Sequence, residues 1–200
     1  MIKALIFDLG GVIVPFDFKR AYARLEPLCG YPSAEISKRL RSTDLVARFE
    51  TGLIDAADFV PEICGILGID LTYDEFCELW TCVLIPGTLI PDHFFAAWKQ
   101  RYRLVLLSNT NAIHFDKIAA GYPELRHFHN LVLSYKVGAL KPSPRIYEEA
   151  IALAGCKPEE CFFTDDVAAY VDGAKAAGID AVQFESLTRL QEDLLARGVH

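Results

Sequence analysis

The stretch Ile2–Gly11, with the sequence IKALIFDLGG, decides the fold. Its residues up to Phe7 are apolar at nearly every position, which predicts a strand buried on both faces, as in a parallel sheet. The strand stops at Asp8, and the glycine pair Gly10-Gly11 that follows indicates a turn. Open α/β sheets bind their ligands at the carboxyl ends of such strands, so Asp8 is a candidate site residue.

Short apolar segments like the first one recur along the chain. They predict further strands at Leu104–Leu107, Leu131–Leu133, Cys161–Phe163 and Ala181–Phe184. Helical patterns alternate with these strands, at Ile113–Ala120, Pro144–Ala154 and Val167–Ala177. The alternation predicts an α/β fold with a doubly wound, Rossmann-like parallel sheet.

The segment 16–85 breaks this alternation and contains no convincing strand. It has the pattern of successive amphipathic helices, with Ser33 and Asp55 as N-caps and with Gly30, Gly52 and Gly68 as helix ends. We therefore predict a helical cap of residues 16–85, inserted after the first strand into a core formed by residues 1–15 and 86–200.

Composition and charge exclude several classes of partner. The 20 Lys and Arg residues are outnumbered by 27 Asp and Glu, giving a formal net charge of −7. A nucleic acid or an anionic membrane would need a basic stripe, and none is present. No apolar run approaches the roughly 20 residues of a membrane span. The six cysteines form no CxxC pair and follow no secretory leader pattern, so we expect a cytoplasmic protein.

Polar residues at the predicted strand ends suggest a reaction centre. Asp8 follows the first strand, Ser108-Asn109 the second and Asp165-Asp166 the fourth, while Lys141 lies just before a helix. Crowded carboxylates repel one another unless a hard cation such as Mg²⁺ joins them. A lysine and a hydroxyl can hold an anionic oxygen, so the set has the parts needed for phosphoryl transfer.

Each of these residues also has an ordinary structural interpretation. A lone aspartate at a strand end is commonly a turn or cap residue, and a lysine before proline is commonly a solvated loop residue. Ser108-Asn109 could cap a helix, and Asp165-Asp166 could favour a helix start. The ordered occurrence of all four at strand ends favours the functional interpretation.

The same motifs, in this order, resemble the four motifs of the haloacid dehalogenase-like (HAD) hydrolase superfamily, over essentially the whole chain. The detailed sequence of three segments resembles the bacterial alpha-D-glucose-1-phosphate phosphatase subgroup. These segments are Phe7–Val14, Leu107–Asn111 with His114, and Lys141-Pro142 with 145–147.

The resemblance implies a role for each motif residue. Asp8 would be the nucleophile that forms an aspartyl-phosphate, and Lys141 would neutralise charge on the phosphate. Ser108 and the Asn109 amide would donate hydrogen bonds to phosphoryl oxygens. Mg²⁺ would be bound by Asp8, the Gly10 carbonyl and Asp166, with Asp165 assisting through water or from behind the ligands.

The chain departs from the superfamily pattern at two positions. Gly10 stands where its phosphatases usually carry a second aspartate as general acid and base, and Tyr170 stands where the related pattern tends to have asparagine. Asp17 and Glu50 in the cap could contact the substrate, although Asp17 also fits a helix N-cap and Glu50 a solvated helix end.

These observations predict a Mg²⁺-dependent phosphatase that hydrolyses a small phosphorylated metabolite, with a sugar 1-phosphate as a candidate substrate. The alternatives are a haloacid dehalogenase-type hydrolase, which needs no metal, and a degenerate phosphate-binding protein without turnover. A response-regulator receiver domain is opposed by the order of the motifs and by the long helical insertion.

Overall fold

A five-stranded sheet forms the centre of the protein in the computed structural model, which covers residues 1–200. The strands are β1 (Ala4–Phe7), β2 (Arg103–Ser108), β3 (Asn130–Leu133), β4 (Cys161–Asp165) and β5 (Asp180–Gln183). All are parallel, in the order β3-β2-β1-β4-β5. The predicted doubly wound α/β fold is therefore confirmed.

Helices cover both faces of this sheet. The core helices are α6 (Asp92–Lys99), α7 (Ala112–Gly121), α8 (Ser134–Val137), α9 (Pro144–Ala154), α10 (Ala168–Ala176) and α11 (Leu187–Leu195). Because side chains alternate along a strand, Leu5 and Phe7 pack with α6, α7 and α11, whereas Ala4 and Ile6 pack with α9 and α10. Short 3-10 turns at Pro123–His127 and Pro158–Glu160 precede β3 and β4.

The predicted elements of the core differ from the observed ones only at their ends. The helix expected at Pro144–Ala154 has those bounds, and Gly155 ends it in the left-handed conformation. The first strand begins at Ala4 rather than Ile2, although the Lys3 N–H already bonds the Glu160 carbonyl at 2.8 Å.

Five helices form the inserted segment. They are α1 (Phe18–Cys29), α2 (Ser33–Arg41), α3 (Leu45–Glu50), α4 (Ala56–Leu67) and α5 (Tyr73–Thr81). They enclose a separate apolar cluster, which Ile113 of α7 joins from the core. No helix of the protein is long and apolar enough to cross a membrane.

The helix ends predicted in this segment are correct except at one cap. Asp55 is the N-cap of α4 and accepts the Asp58 N–H, and Gly30 and Gly68 end helices in the left-handed conformation. Ser33 is instead the first residue of α2, and its N–H and hydroxyl both bond Glu26 of the preceding helix. Ser33 therefore binds the Glu26 carboxylate and does not act as the N-cap of α2.

Two chain segments join the inserted helices to the core, and they pair with each other. Phe16 and Leu84 form an antiparallel bridge. The Ile85 N–H bonds the Pro15 carbonyl at 2.9 Å. The boundaries that we predict after residues 15 and 85 fall in this paired segment, which we call the hinge. The division into two domains stays a prediction.

Candidate active site

The order of the strands changes direction at β1: β2 and β3 follow on one side of it, and β4 and β5 on the other. Doubly wound sheets place their ligands at this switch point, between β1 and β4. Asp8 follows β1, and its N–H bonds the Thr164 carbonyl of β4 at 3.0 Å. Asp165 ends β4, and Asp166 follows it. Parallel pairing thus brings three carboxylates, distant in sequence, to one edge of the sheet.

Lys141 reaches this edge from the loop before α9. Its ammonium lies 2.7 Å from Asp8 Oδ1 and 2.5 Å from Asp165 Oδ2, and it donates to the Leu107 carbonyl at 3.2 Å. Only 1% of the side chain is exposed, so the alternative of a solvated loop lysine is wrong. Burial disfavours the charge, but the two carboxylates outweigh it and raise the pKa of Lys141.

Asn109 holds the backbone of Lys141 in place. Its Oδ1 accepts the Lys141 N–H at 2.8 Å, and its Nδ2 donates to the Lys141 carbonyl at 3.1 Å. The side-chain amide is therefore occupied in positioning the lysine, a role that the sequence did not indicate. The backbone N–H of Asn109, in contrast to the side-chain amide, makes no hydrogen bond within the protein and is free to bind an anion.

Tyr170 supports the lysine from another side. Its ring centroid lies 5.1 Å from the Lys141 ammonium, a distance that allows a cation–π contact. The hydroxyl of the buried Tyr147 donates to the Tyr170 carbonyl at 2.7 Å and fixes the start of α10. The tyrosine at this departure from the related pattern therefore contacts the site by packing under the lysine.

The acidic edge, by which we mean Asp8, Lys141, Asp165 and Asp166, suits a divalent cation. Carboxylate oxygens of the three aspartates lie within 4.8 Å of one another. Three carboxylates and one ammonium leave two negative charges when all are ionised, and oxygen donors are those that Mg²⁺ prefers. Burial raises the pKa of Asp8 and of Asp166, as expected where positive charge is insufficient.

The individual oxygens show which carboxylates are free to bind a cation. Asp165 is occupied on both sides, by Lys141 and by the Val167 N–H at 2.9 Å. Asp166 has no side-chain hydrogen bond, and a Cβ at Gly11 would collide with its carboxylate. One oxygen of Asp8, one or both of Asp166 and the Gly10 carbonyl are therefore available, with Asp165 behind them.

Several hydrogen-bond donors beside Asp8 can hold an anion. The backbone N–H groups of Gly10 and Asn109 have no partner within the protein. The Ser108 hydroxyl has only a 3.5 Å contact, with the Asn109 carbonyl. Ser134, for which the sequence motifs predict no role, fixes this loop. Its hydroxyl donates to the Thr110 carbonyl and accepts the Thr110 N–H, each at 2.9 Å. Ser134 meets the criterion used for the other site residues, because it is a polar residue directly after a strand.

The position of the missing general acid is filled rather than empty. A Cβ built on Gly10 would lie 3.1 Å from Cε1 of Phe16. The backbone of Gly10 is not in the left-handed region, so the aromatic ring, and not the backbone conformation, is what opposes a side chain there.

A cavity of about 600 Å³, the cap cavity, lies between the inserted helices and the core. Glu50, the last residue of α3, lines it together with Gly10, Ser108 and Asn109. Burial raises the pKa of Glu50 to about 7.

Asp17 has a different place. It is the N-cap of α1, where its Oδ1 accepts the Lys19 N–H at 2.9 Å, and it does not line the cap cavity. Of the two carboxylates predicted to contact the substrate, the fold brings Glu50 to the site and leaves Asp17 as a helix cap.

Several known proteins are similar to this chain in sequence and fold. A D-ribitol-5-phosphate phosphatase of Bacteroides thetaiotaomicron is 28% identical over 201 residues, covering 97% of this chain and 97% of that protein. A phosphatase of Mycobacterium tuberculosis is 27% identical and covers 90% of this chain and 86% of its own. A HAD family enzyme of Bacteroides thetaiotaomicron, solved with magnesium and inorganic phosphate, has a TM-score of 0.81 at 27% identity, over 94% of this chain and 96% of that one.

A family model also matches most of the chain. The model described as "haloacid dehalogenase-like hydrolase" matches residues 2–178. The predicted superfamily, its phosphatase class and the magnesium cofactor of that class are thus confirmed. The chain belongs to the haloacid dehalogenase-like hydrolase family.

Proposed function

We propose that this HAD-type phosphatase hydrolyses a small phosphorylated metabolite through an aspartyl-phosphate on Asp8. The observation that carries the proposal is the buried bridge of Lys141 between Asp8 and Asp165. The bridge fixes one oxygen of Asp8 and leaves the other free beside unpartnered N–H donors. A carboxylate held in this way can act as a nucleophile.

The residues of the site divide the reaction between them. The free oxygen of Asp8 attacks phosphorus, and the bond to the leaving group breaks with its electron pair going to the leaving oxygen. The Ser108 hydroxyl and the backbone N–H groups of Gly10 and Asn109 stabilise the phosphoryl oxygens, and Lys141 offsets their charge. A water molecule then attacks the aspartyl-phosphate, which releases inorganic phosphate and restores the Asp8 carboxylate.

Magnesium would be held by Asp8, Asp166 and the Gly10 carbonyl, with Asp165 behind these ligands. When bound, the ion withdraws negative charge from the phosphoryl oxygens. Asp165 instead keeps the lysine charged and fixes its position, because both of its oxygens are already occupied.

For the substrate we propose a sugar 1-phosphate. Gly10 carries no acid to protonate the leaving oxygen, so the reaction favours an ester of an acidic hydroxyl, and an anomeric hydroxyl is more acidic than a primary one. The resemblance to glucose-1-phosphate phosphatases supports the same choice. The D-ribitol-5-phosphate phosphatase relative supports the competing choice of a primary phosphate ester.

The setting that fits this activity is the cytoplasm, where small phosphorylated metabolites occur. All six cysteines are free thiols, as is usual in a reducing compartment. The excess of acidic residues gives no support to nucleic acid as a partner.

The proposed function is tested by phosphate release from a panel of phosphate monoesters, with and without Mg²⁺. We expect release that depends on Mg²⁺, that is lost in Asp8→Asn and that is fastest with glucose 1-phosphate. Release that persists at the same rate in Asp8→Asn would refute Asp8 as nucleophile. A faster rate with ribitol 5-phosphate would refute the choice of substrate alone.

A further inference from the structure

The walls of the cap cavity are mostly apolar. Of its 23 lining residues 14 are hydrophobic, and the aromatic ones are Phe16, Phe18, Tyr22 and Trp80. A phosphate bound beside Ser108 and Asn109 would place its leaving group in this cavity, because both residues line it. The few polar side chains of the walls therefore decide which leaving groups are accepted.

Most of these polar side chains already have partners within the protein. His114 bonds the Trp80 carbonyl through Nε2 at 2.9 Å. The Arg41 guanidinium donates to the Ser37 hydroxyl at 3.1 Å. The Thr43 hydroxyl donates to a backbone carbonyl at the end of α2, at 3.3 Å. Each of these side chains therefore has at least one partner before a ligand arrives.

Glu50 is the only carboxylate among the lining residues. Its carboxyl group makes no hydrogen bond and no ion pair with the protein, and burial is the only cause of its raised pKa. A polar group that loses water without gaining a partner costs free energy, and a charged one costs more. Glu50 is partly buried, and a ligand that donates a hydrogen bond to it would reduce this cost.

The backbone that carries Glu50 packs against the core near the phosphate-binding loop. Two residues after it, Gly52 lies so close to the Tyr135 carbonyl of α8 that a Cβ would collide with it. Tyr135 follows Ser134, whose hydroxyl fixes the Thr110 backbone. The end of α3 is thus packed on the same short helix that positions the catalytic loop, which brings Glu50 to the side of the cavity that this loop also lines.

We propose that Glu50 is the specificity-determining residue of the cap, accepting a hydrogen bond from a hydroxyl or an ammonium group of the leaving group. The substrate class is a phosphate monoester whose leaving group carries such a donor and otherwise presents apolar surface to the aromatic walls. This inference rests on the proposed function, since it takes the phosphate to lie beside Asp8.

The test compares esters with and without a donor. Glucose 1-phosphate and ribitol 5-phosphate carry hydroxyls, phosphoethanolamine carries an ammonium, and butyl phosphate carries neither. We expect Glu50→Leu to lower kcat/KM for the preferred donor-bearing ester by about tenfold, mainly through KM. We expect kcat/KM for butyl phosphate to stay the same or rise. Glu62→Gln, an exposed glutamate of α4, is the matched control.

Glu50→Gln distinguishes the two kinds of donor. The amide keeps an acceptor oxygen but not the negative charge, so it should retain most activity on a hydroxyl-bearing ester and lose activity on phosphoethanolamine. A loss on every ester, with or without a donor, in which kcat falls most for the poorest leaving groups, would identify Glu50 as a proton donor and overturn the proposal. Wild-type kinetics in Glu50→Leu on all esters would overturn it too.

Binding separates this inference from the proposed function. Dissociation constants of the same esters are measured by calorimetry on Asp8→Asn, with and without the Glu50 substitutions. A weakening of about tenfold, confined to donor-bearing esters, supports the inference even if the wild type turns over none of them. Equal binding with and without Glu50→Leu refutes it, whatever the turnover.

Discussion

The acidic edge and the cap cavity lie side by side but are built on opposite principles. At the acidic edge, Lys141 bridges Asp8 and Asp165 within 2.7 Å, and Asn109 fixes the lysine backbone. In the cap cavity the walls are mostly apolar, and the Glu50 carboxyl has no partner within the protein. One region pairs its lysine with two of its carboxylates inside the protein, whereas the other leaves its carboxyl group without a partner.

The difference separates reaction from selection. Groups that must hold a fixed geometry during bond breaking benefit from partners inside the protein, since preorganised charges need not rearrange in the transition state. Groups that recognise a substrate must leave their hydrogen bonding incomplete until it arrives. Substitutions at the edge should therefore change kcat for all substrates, and substitutions in the cavity should change the ranking of substrates.

The largest effect is expected for Asp8→Asn. An amide is a poor nucleophile and a poor ligand for Mg²⁺, so turnover should fall by on the order of 10⁴-fold or more on every ester. The far-ultraviolet circular dichroism should stay unchanged, because asparagine has the same shape. Asp172→Asn, on the exposed side of α10, is the control and should keep its activity. Retained turnover in Asp8→Asn would mean that the acidic edge does not carry the reaction, and the division between reaction and selection would fail.

A smaller but still large loss is expected for Lys141→Met. Methionine keeps much of the stem and removes the charge that joins two buried carboxylates, so the rate should fall by on the order of 10²-fold. Removal of one partner from a buried ion pair also destabilises the fold, by about 3 kcal/mol. Urea unfolding and kinetics measure the two effects. Lys117→Met on α7 is the exposed control. Equal rates and equal unfolding free energies of the two variants would mean that Lys141 contributes no more than an exposed lysine does.

Most of the fold could be predicted because its signals are local. Apolar runs ending in polar residues gave the strands, and the glycines after Ala154 and Leu67 marked helix ends that the structure confirms. The exception at Ser33 is not local: a carboxylate from another helix, Glu26, bonds it. Sequence spacing carries no information about such a partner.

The candidate site was predictable to a different depth in its two regions. The acidic edge follows from the rule that parallel strands bring their carboxyl ends together, and that rule placed Asp8, Lys141 and Asp165 correctly. It did not reveal that the Asn109 side chain holds Lys141, or that Phe16 covers Gly10. Those contacts depend on how the hinge and loops pack, which no motif encodes.

A third substitution tests whether the missing acid can be restored. Gly10→Asp alone should lower activity by about tenfold, since its side chain would meet the Phe16 ring at 3.1 Å from the Cβ. Gly10→Asp combined with Phe16→Ala gives the carboxyl group room. The double variant should then flatten the dependence of kcat on leaving-group acidity, measured over a graded series of phosphate esters. Phe16→Ala alone, which supplies room but no acid, is the control and should keep the steep dependence.

The smallest expected effect concerns the stability of the protein without substrate. Burial raises the pKa of Glu50 from 4.5 to about 7, so the folded protein binds this proton more tightly than the unfolded chain does. The stabilising contribution of neutral Glu50 is therefore fully present below about pH 4.5 and is lost as the pH rises through about 7. Glu50→Gln mimics the neutral form at every pH. It should match the wild type near pH 4.5 and exceed its unfolding free energy at pH 8 by on the order of 1–2 kcal/mol.

Urea titrations of the two proteins across this pH range measure the difference directly, and titrating groups elsewhere cancel between them. The other ionisable side chains that line the cavity are Tyr22, Arg41 and His114. Burial lowers the pKa of His114, and its titration cancels in the comparison because both proteins carry the same ring. Glu62→Gln, exposed on the same group of helices, should show no such trend. A Glu50→Gln protein that is no more stable than the wild type at pH 8 would mean that the carboxyl already has a partner, and the contrast between the lysine-paired carboxylates of the edge and the unpaired carboxyl of the cavity would no longer hold.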